Sequence, residues 1–171
     1  MLDLINKTMK HVKLFEDFSG LADLGTLKDT VDYAVEEFEE PESVEGVIKA
    51  AAWTCNKLGL RSTGGRLAKL GLSSSLVPGM DLTEVVEIWN SNYWPEDEYR
   101  EIAALFPKVL GWSTRDDVVL PGNLEKDSLI LEEIDCRLYE CPSTGVRFVR
   151  FYWIWGTDQV FMLRSDLAAA R

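Results

Sequence analysis

Val146 to Trp155 reads VRFVRFYWIW, ten residues of mostly β-branched and aromatic type entered through Pro142-Ser143-Thr144-Gly145 and left through Gly156-Thr157-Asp158. Side chains that stiffen or crowd a helix but fit a pleated surface, bounded at both ends by turn residues, predict a central strand. A strand needs partners. Ser128 to Glu140 before it and Gln159 to Arg164 after it are long enough to pair with it as an antiparallel meander.

Successive side chains of a strand point to opposite faces, so alternation assigns the faces of this sheet. Ile130, Ile134, Cys136 and Leu138 share one side of the first strand, with Glu133, Asp135 and Arg137 outward beside Leu129, Leu131 and Tyr139. The central strand has Arg147, Val149, Phe151, Trp153 and Trp155 on one side and Val146, Phe148, Arg150, Tyr152 and Ile154 on the other. Helices are expected on the first side. The second, with Arg150 and Tyr152 among apolar residues, is expected to be half covered by a loop or to serve recognition.

The N-terminal part has helical spacing. Met1 to Phe18 carries Leu2, Ile5, Met9 and Val12 on one stripe; Thr26 can cap a helix with Leu27, Val31, Ala34, Val35 and Phe38 inward; Pro41 ends it. Ser43 can start the next, with Val44, Val47, Ile48, Ala51, Ala52, Cys55 and Leu58 inward and Gly59 as its left-handed stop. Trp53 falls opposite that face, either covered by another element or an interface anchor. Asp81 and Glu84 have capping-box spacing ahead of Leu82, Val85, Val86 and Trp89, and Pro95 opens a further helix reaching Phe106. Val118 to Leu120 and Pro121-Gly122-Asn123 make a hairpin with the long strand. The expected fold is α+β: residues 1–171 as a single domain, a layer of four to six helices over 1–110 packed on the Ile130/Ile134/Leu138 side of an antiparallel β-meander of about four strands over 111–171.

Charge is unevenly distributed. Residues 1–45 carry twelve acids against four lysines, 46–80 five bases and no acid, and the formal net charge is −11. Such a chain repels nucleic acid and anionic membranes, so neither is expected as a partner. Asp29, Asp32, Glu36 and Glu40 recur at helical spacing with no expected cation in the row, which predicts either a solvated face or a docking surface for a basic partner protein. Arg61-Ser62-Thr63-Gly64-Gly65-Arg66 has the residue types of an anion cradle, but lacks phosphate-loop spacing and is read as a loop. With no apolar run of about twenty residues and no signal-like start, no membrane span is expected, and with three unpaired-looking cysteines, Cys55, Cys136 and Cys141, the expected location is cytoplasmic.

Catalytic motifs are few. Cys141 to Arg147 has the C-x5-R spacing of cysteine phosphatases, where loop amides and an arginine surround phosphate. Here Glu140 precedes the cysteine and Arg147 begins a strand instead of a helix, so a hairpin turn is expected. His11 is the single histidine, which leaves no histidine triad and no multi-histidine metal site; no metal or cofactor is expected. The segment starting Pro95-Glu96-Asp97-Glu98-Tyr99 resembles the proline-and-tyrosine helix start of a superfamily of small bacterial immunity proteins, over that segment alone.

The expected function is a non-catalytic protein-binding role as an acidic inhibitor, immunity or viral or phage accessory factor, with Asp29, Asp32, Glu36, Glu40, Trp53, Arg150 and Tyr152 as partner-binding residues. Alternatives are a structural subunit of a larger assembly, for which self-association would suffice, and an enzyme using Cys141 and Arg147.

Overall fold

Thr26 caps the helix at Leu27 with a capping box: Asp29 N–H donates to Thr26 Oγ1 at 3.4 Å, and Thr26 N–H donates to Asp29 Oδ2 at 2.9 Å. The computed structural model describes residues 25–70, 80–90, 124–142 and 144–170. Helix α1 (Leu27–Glu37) buries the expected stripe of Leu27, Val31 and Ala34, continued by Phe38. Pro41 opens α2 (Pro41–Lys57), where a missing N–H costs nothing at the first turn, so the helix starts two residues before Ser43. Gly59, at φ 100°, stops α2 as expected.

The stretch read as a loop at Arg61–Arg66 is instead the first part of helix α3 (Arg61–Leu70). Gly64 explains why glycine stands inside a helix. A Cβ there would lie 2.1 Å from Asn56 Oδ1 and 2.8 Å from the Ala52 carbonyl, so only glycine lets α3 approach α2 this closely.

Five antiparallel strands follow: β1 (Val85–Asn90), β2 (Leu124–Ile130), β3 (Ile134–Glu140), β4 (Arg147–Trp153) and β5 (Asp158–Leu163), in the order β1-β5-β4-β3-β2. The α+β class holds, with corrections. Val85–Asn90, expected in a helix, is a strand paired with β5, so the sheet reaches back into the part expected to be helical. Asp81 caps no helix there; it accepts from Thr83 N–H at 3.0 Å in a local turn. The expected long strand Ser128–Glu140 is folded at Leu131–Glu133 into two strands, closed by Leu131 N–H donating to the Ile134 carbonyl at 2.9 Å. Ile130 therefore leaves the helix-facing side and is 62% exposed, while Ile134, Cys136 and Leu138 stay on it, buried. Helix α4 (Arg164–Ala170) follows β5.

One face of the sheet packs on the helices. Val149, Phe151 and Trp153 of β4, Phe161 of β5 and Val85 of β1 join the buried residues of α1 and α2 in one cluster. Phe151 lies 4.7 Å from Phe161 between ring centroids, and Trp153 stacks on Trp155 at 4.7 Å. The second face is divided. Val86, Phe148, Val160 and Met162 are buried along its β1-β5-β4 part, whereas towards β3 and β2 it is polar and open. The expected helix Met1–Phe18, the Pro95 helix with its resemblance to immunity proteins, and the Val118–Leu120 hairpin lie outside the described residues. Among the described residues no helix is long and apolar enough to cross a membrane.

Candidate functional site

Among the described residues two surfaces concentrate polar side chains, one at the β2–β3 turn and the other starting just past it at Asp135. The first is a groove of about 370 Å³ between the start of α2 and that turn. Pro41 starts α2 so that Glu42 and Glu45 fall on one side of its first turns beside the cap residue Glu40, while Glu132 and Glu133 form the turn opposite. Leu131 and Ile134 supply apolar lining; Lys49, bound to Glu45 at 2.9 Å, is the one base among the described residues of the wall. Carboxylates gathered on one rim attract cations over roughly a Debye length.

The second surface is the open part of the sheet's second face, a shallow depression of about 290 Å³ lined by Asp135, Arg137, Tyr139, Arg150 and Tyr152. Strand alternation puts these five on one side of β3 and β4. Arg150 is bound at two points to Asp158 at the start of β5, at 2.8 and 2.7 Å, and its guanidinium lies 5.8 Å from the Tyr152 ring centroid. Arg137 donates to Asp135 Oδ2 at 3.0 Å and to Glu125 Oε2 at 3.3 Å. Tyr139 stacks on Phe148 at 5.4 Å, tying the depression to the buried part of the face. Burial pushes the Asp158 carboxyl above the usual carboxylate range, and Arg150 only partly opposes this.

The residues expected to bind a partner are not gathered in one place. Asp29 is engaged in the α1 cap, and Asp32 is paired with Lys28, so the acidic row does contain a cation, contrary to expectation. Helical i,i+4 spacing accounts for that pair, and three acids of the row draw the Lys28 pKa upward, Asp32 first through its hydrogen bond, with Asp29 and Glu36 adding to it. Glu36 and Glu40 remain exposed, and Glu40 lines the groove. Trp53 is half-buried, packed in part against the core with Lys57 Nζ of the same helix 5.8 Å from its ring centroid. Arg150 and Tyr152 do come together.

Gly64 donates its amide to the Leu60 carbonyl at 2.9 Å, and Gly65 lies within α3, so the Arg61, Gly64, Gly65, Arg66 set forms no open anion cradle. Cys141 sits, buried, at a turn closed by Gly145 N–H donating to its carbonyl at 2.8 Å, and Arg147 Nη1 donates to the Lys57 carbonyl at 2.7 Å. That arginine serves the negative end of α2, where a cation is favoured. Among the described residues no group of three or more His, Cys, Asp or Glu is placed to hold a metal ion.

Sequence reasoning missed Glu42, Glu45, Glu132 and Glu133 as one surface, because helix start and turn are brought together only by tertiary packing. It also missed Asp158 as the partner of Arg150. The signal was present, since a tight turn at Trp155-Gly156-Thr157 returns Asp158 opposite Tyr152. No protein-family model, curated protein or solved structure matches this chain.

Proposed function

We propose that this chain is a non-catalytic protein-binding protein that docks a basic segment of another protein, in the manner of an acidic inhibitor, immunity or accessory factor. The observation that carries the reading is the groove whose walls, among the described residues, hold five glutamates, Glu40, Glu42, Glu45, Glu132 and Glu133, against Lys49. Lysine and arginine stems would lie along Leu131 while their charged ends meet the glutamates, and the net charge of −11 would speed encounter. Support for a non-catalytic role is that Arg147 faces the end of α2 while Cys141 occupies a turn. Three buried free thiols fit a reducing compartment, the cytoplasm.

The test begins with isolation of the partner from the native host, followed by stopped-flow association with wild type and with a Glu42→Gln, Glu45→Gln, Glu132→Gln, Glu133→Gln variant. The variant is expected to associate about tenfold more slowly, with a flatter dependence on salt. Equal rates and equal salt dependence overturn the reading.

A further inference from the structure

Strand register aligns Ile130 of β2, Asp135 of β3, Tyr152 of β4 and Asp158 of β5 in one row across the second face. Between the polar groups of this row, and just past it, apolar side chains are open: Ile130 is 62% exposed, Tyr152 46%, and Ile154, two residues beyond Tyr152, 66%. Single exposed aliphatic residues are ordinary; here Tyr152 lines the depression, Ile130 pairs with its Asp135, and Ile154 N–H donates to the Glu133 carbonyl at 3.1 Å, which brings the three to the same end of the face.

The charges decide which ligand suits it. Arg150 is matched by Asp158, and Arg137 by both Asp135 and Glu125, so two guanidinium groups stand among three carboxylates. An incoming anion would have to displace one of these carboxylates. An incoming cation finds an acceptor, because Asp135 engages Arg137 through Oδ2 alone and its Oδ1, closed off from solvent, has no hydrogen-bond partner among the described residues. A buried polar atom left unpaired is unfavourable, and a small rotation of the carboxylate would present it to a donor.

We infer that this depression takes a lysine or arginine side chain from a partner protein, the cation on Asp135, the stem on the Tyr152 ring, and Ile130 and Ile154 against apolar residues beside it. The inference rests on the reading of the chain as a docking protein for a basic partner. It deepens that reading because the two surfaces share a rim: Glu132 and Glu133 of the β2–β3 turn line the groove, while Ile130 and Asp135 lie at the ends of the two strands that the turn joins. One basic segment would bind on both sides of the turn.

The test is a titration of the full ¹⁵N-labelled chain with an acetylated Leu-Arg-Leu-Lys peptide amide, and separately with the same peptide carrying glutamate at both basic positions, followed by amide shifts. The basic peptide is expected to move Ile130, Asp135, Tyr152 and Ile154, with affinity falling about tenfold in Asp135→Asn and in Tyr152→Ser. Both substitutions change partly exposed side chains, and Ile154→Ser gives a third variant outside any strand. Shifts confined to groove residues, abolished by Glu132→Gln with Glu133→Gln, overturn this inference and leave the groove reading intact. Shifts at neither surface overturn both. Shifts at Arg137 and Arg150 with the glutamate peptide alone reverse the sign of the ligand and overturn the inference.

Discussion

Arg150 on β4 grips Asp158 on β5 at two points, Nε to Oδ1 at 2.8 Å and Nη2 to Oδ2 at 2.7 Å, and the carboxylate is 4% exposed. Loss of water raises the Asp158 pKa above its ordinary value despite the arginine. A raised folded-state pKa means that folding favours the protonated form, so ionised Asp158 opposes folding as pH rises through that value. The pair therefore specifies how β4 and β5 meet more than it stabilises them.

Replacing Arg150 with Met takes the two-point guanidinium contact away from a buried carboxylate, at an expected cost of about 3–5 kcal/mol near neutral pH. The loss should shrink at acid pH, as Asp158, whose pKa burial holds above the ordinary carboxylate range, takes up a proton. Arg150→Met with Asp158→Leu should recover most of the stability. Urea denaturation at the two pH values checks this; a loss independent of pH, or a double variant as unstable as the single, contradicts it.

Gly64 and Gly65 are neighbours on α3 with opposite surroundings. A Cβ on Gly64 meets the Ala52 carbonyl at 2.8 Å, whereas one on Gly65 meets nothing within 4 Å. Gly64→Ala should cost about 1–3 kcal/mol through forced separation of α2 and α3. Gly65→Ala should gain up to about 1 kcal/mol from helix propensity. Thermal unfolding of the two variants should move in opposite directions.

The same glycines show where the sequence was opaque. Gly-Gly between arginines is a loop signal locally, and only the approach of Asn56 and Ala52 makes it a helix contact. Val85–Asn90 has helical spacing of apolar residues, yet both its faces are buried, so no period-two pattern survived to identify a strand. The turn Leu131-Glu132-Glu133 contains no Gly, Pro or Asn, and without that punctuation two strands read as one. Where local and tertiary preferences agree, the reading was direct: the Thr26 cap, the buried face of α2, the Gly59 stop and the aromatic strand β4. Half of the candidate site followed from alternation, which put Arg150 beside Tyr152; the groove depends on packing between distant segments.

The acidic row on α1 should respond unevenly to substitution. Asp29→Ala removes the acceptor for Thr26 N–H and should cost about 0.5–1 kcal/mol in chemical denaturation. Glu36→Ser, on an exposed position, should stay within about 0.5 kcal/mol of wild type. Equal losses would mean that the row acts as a unit instead of a cap beside a solvated face.

Trp153 and Tyr152 are adjacent on β4 and face opposite ways, which makes them a test of the two-sided sheet. Trp153 is buried, and its Nε1 donates to Gln159 Oε1; Gln159 Nε2 in turn donates to the buried Glu87 Oε2 at 2.6 Å. Trp153→Ala removes a large ring from the helix-facing core and should cost about 3–5 kcal/mol. Trp153→Phe keeps an aromatic ring but deprives Gln159 of its donor, and should cost about 1–3 kcal/mol. Tyr152→Ala, at 46% exposure, should cost about 1 kcal/mol or less while weakening binding of a basic partner. Guanidinium denaturation ranks the three variants. If Tyr152→Ala proves as damaging as Trp153→Ala, both faces of β4 are sealed and the second face offers no docking surface, which leaves the acidic groove at the start of α2 as the place where a partner would bind.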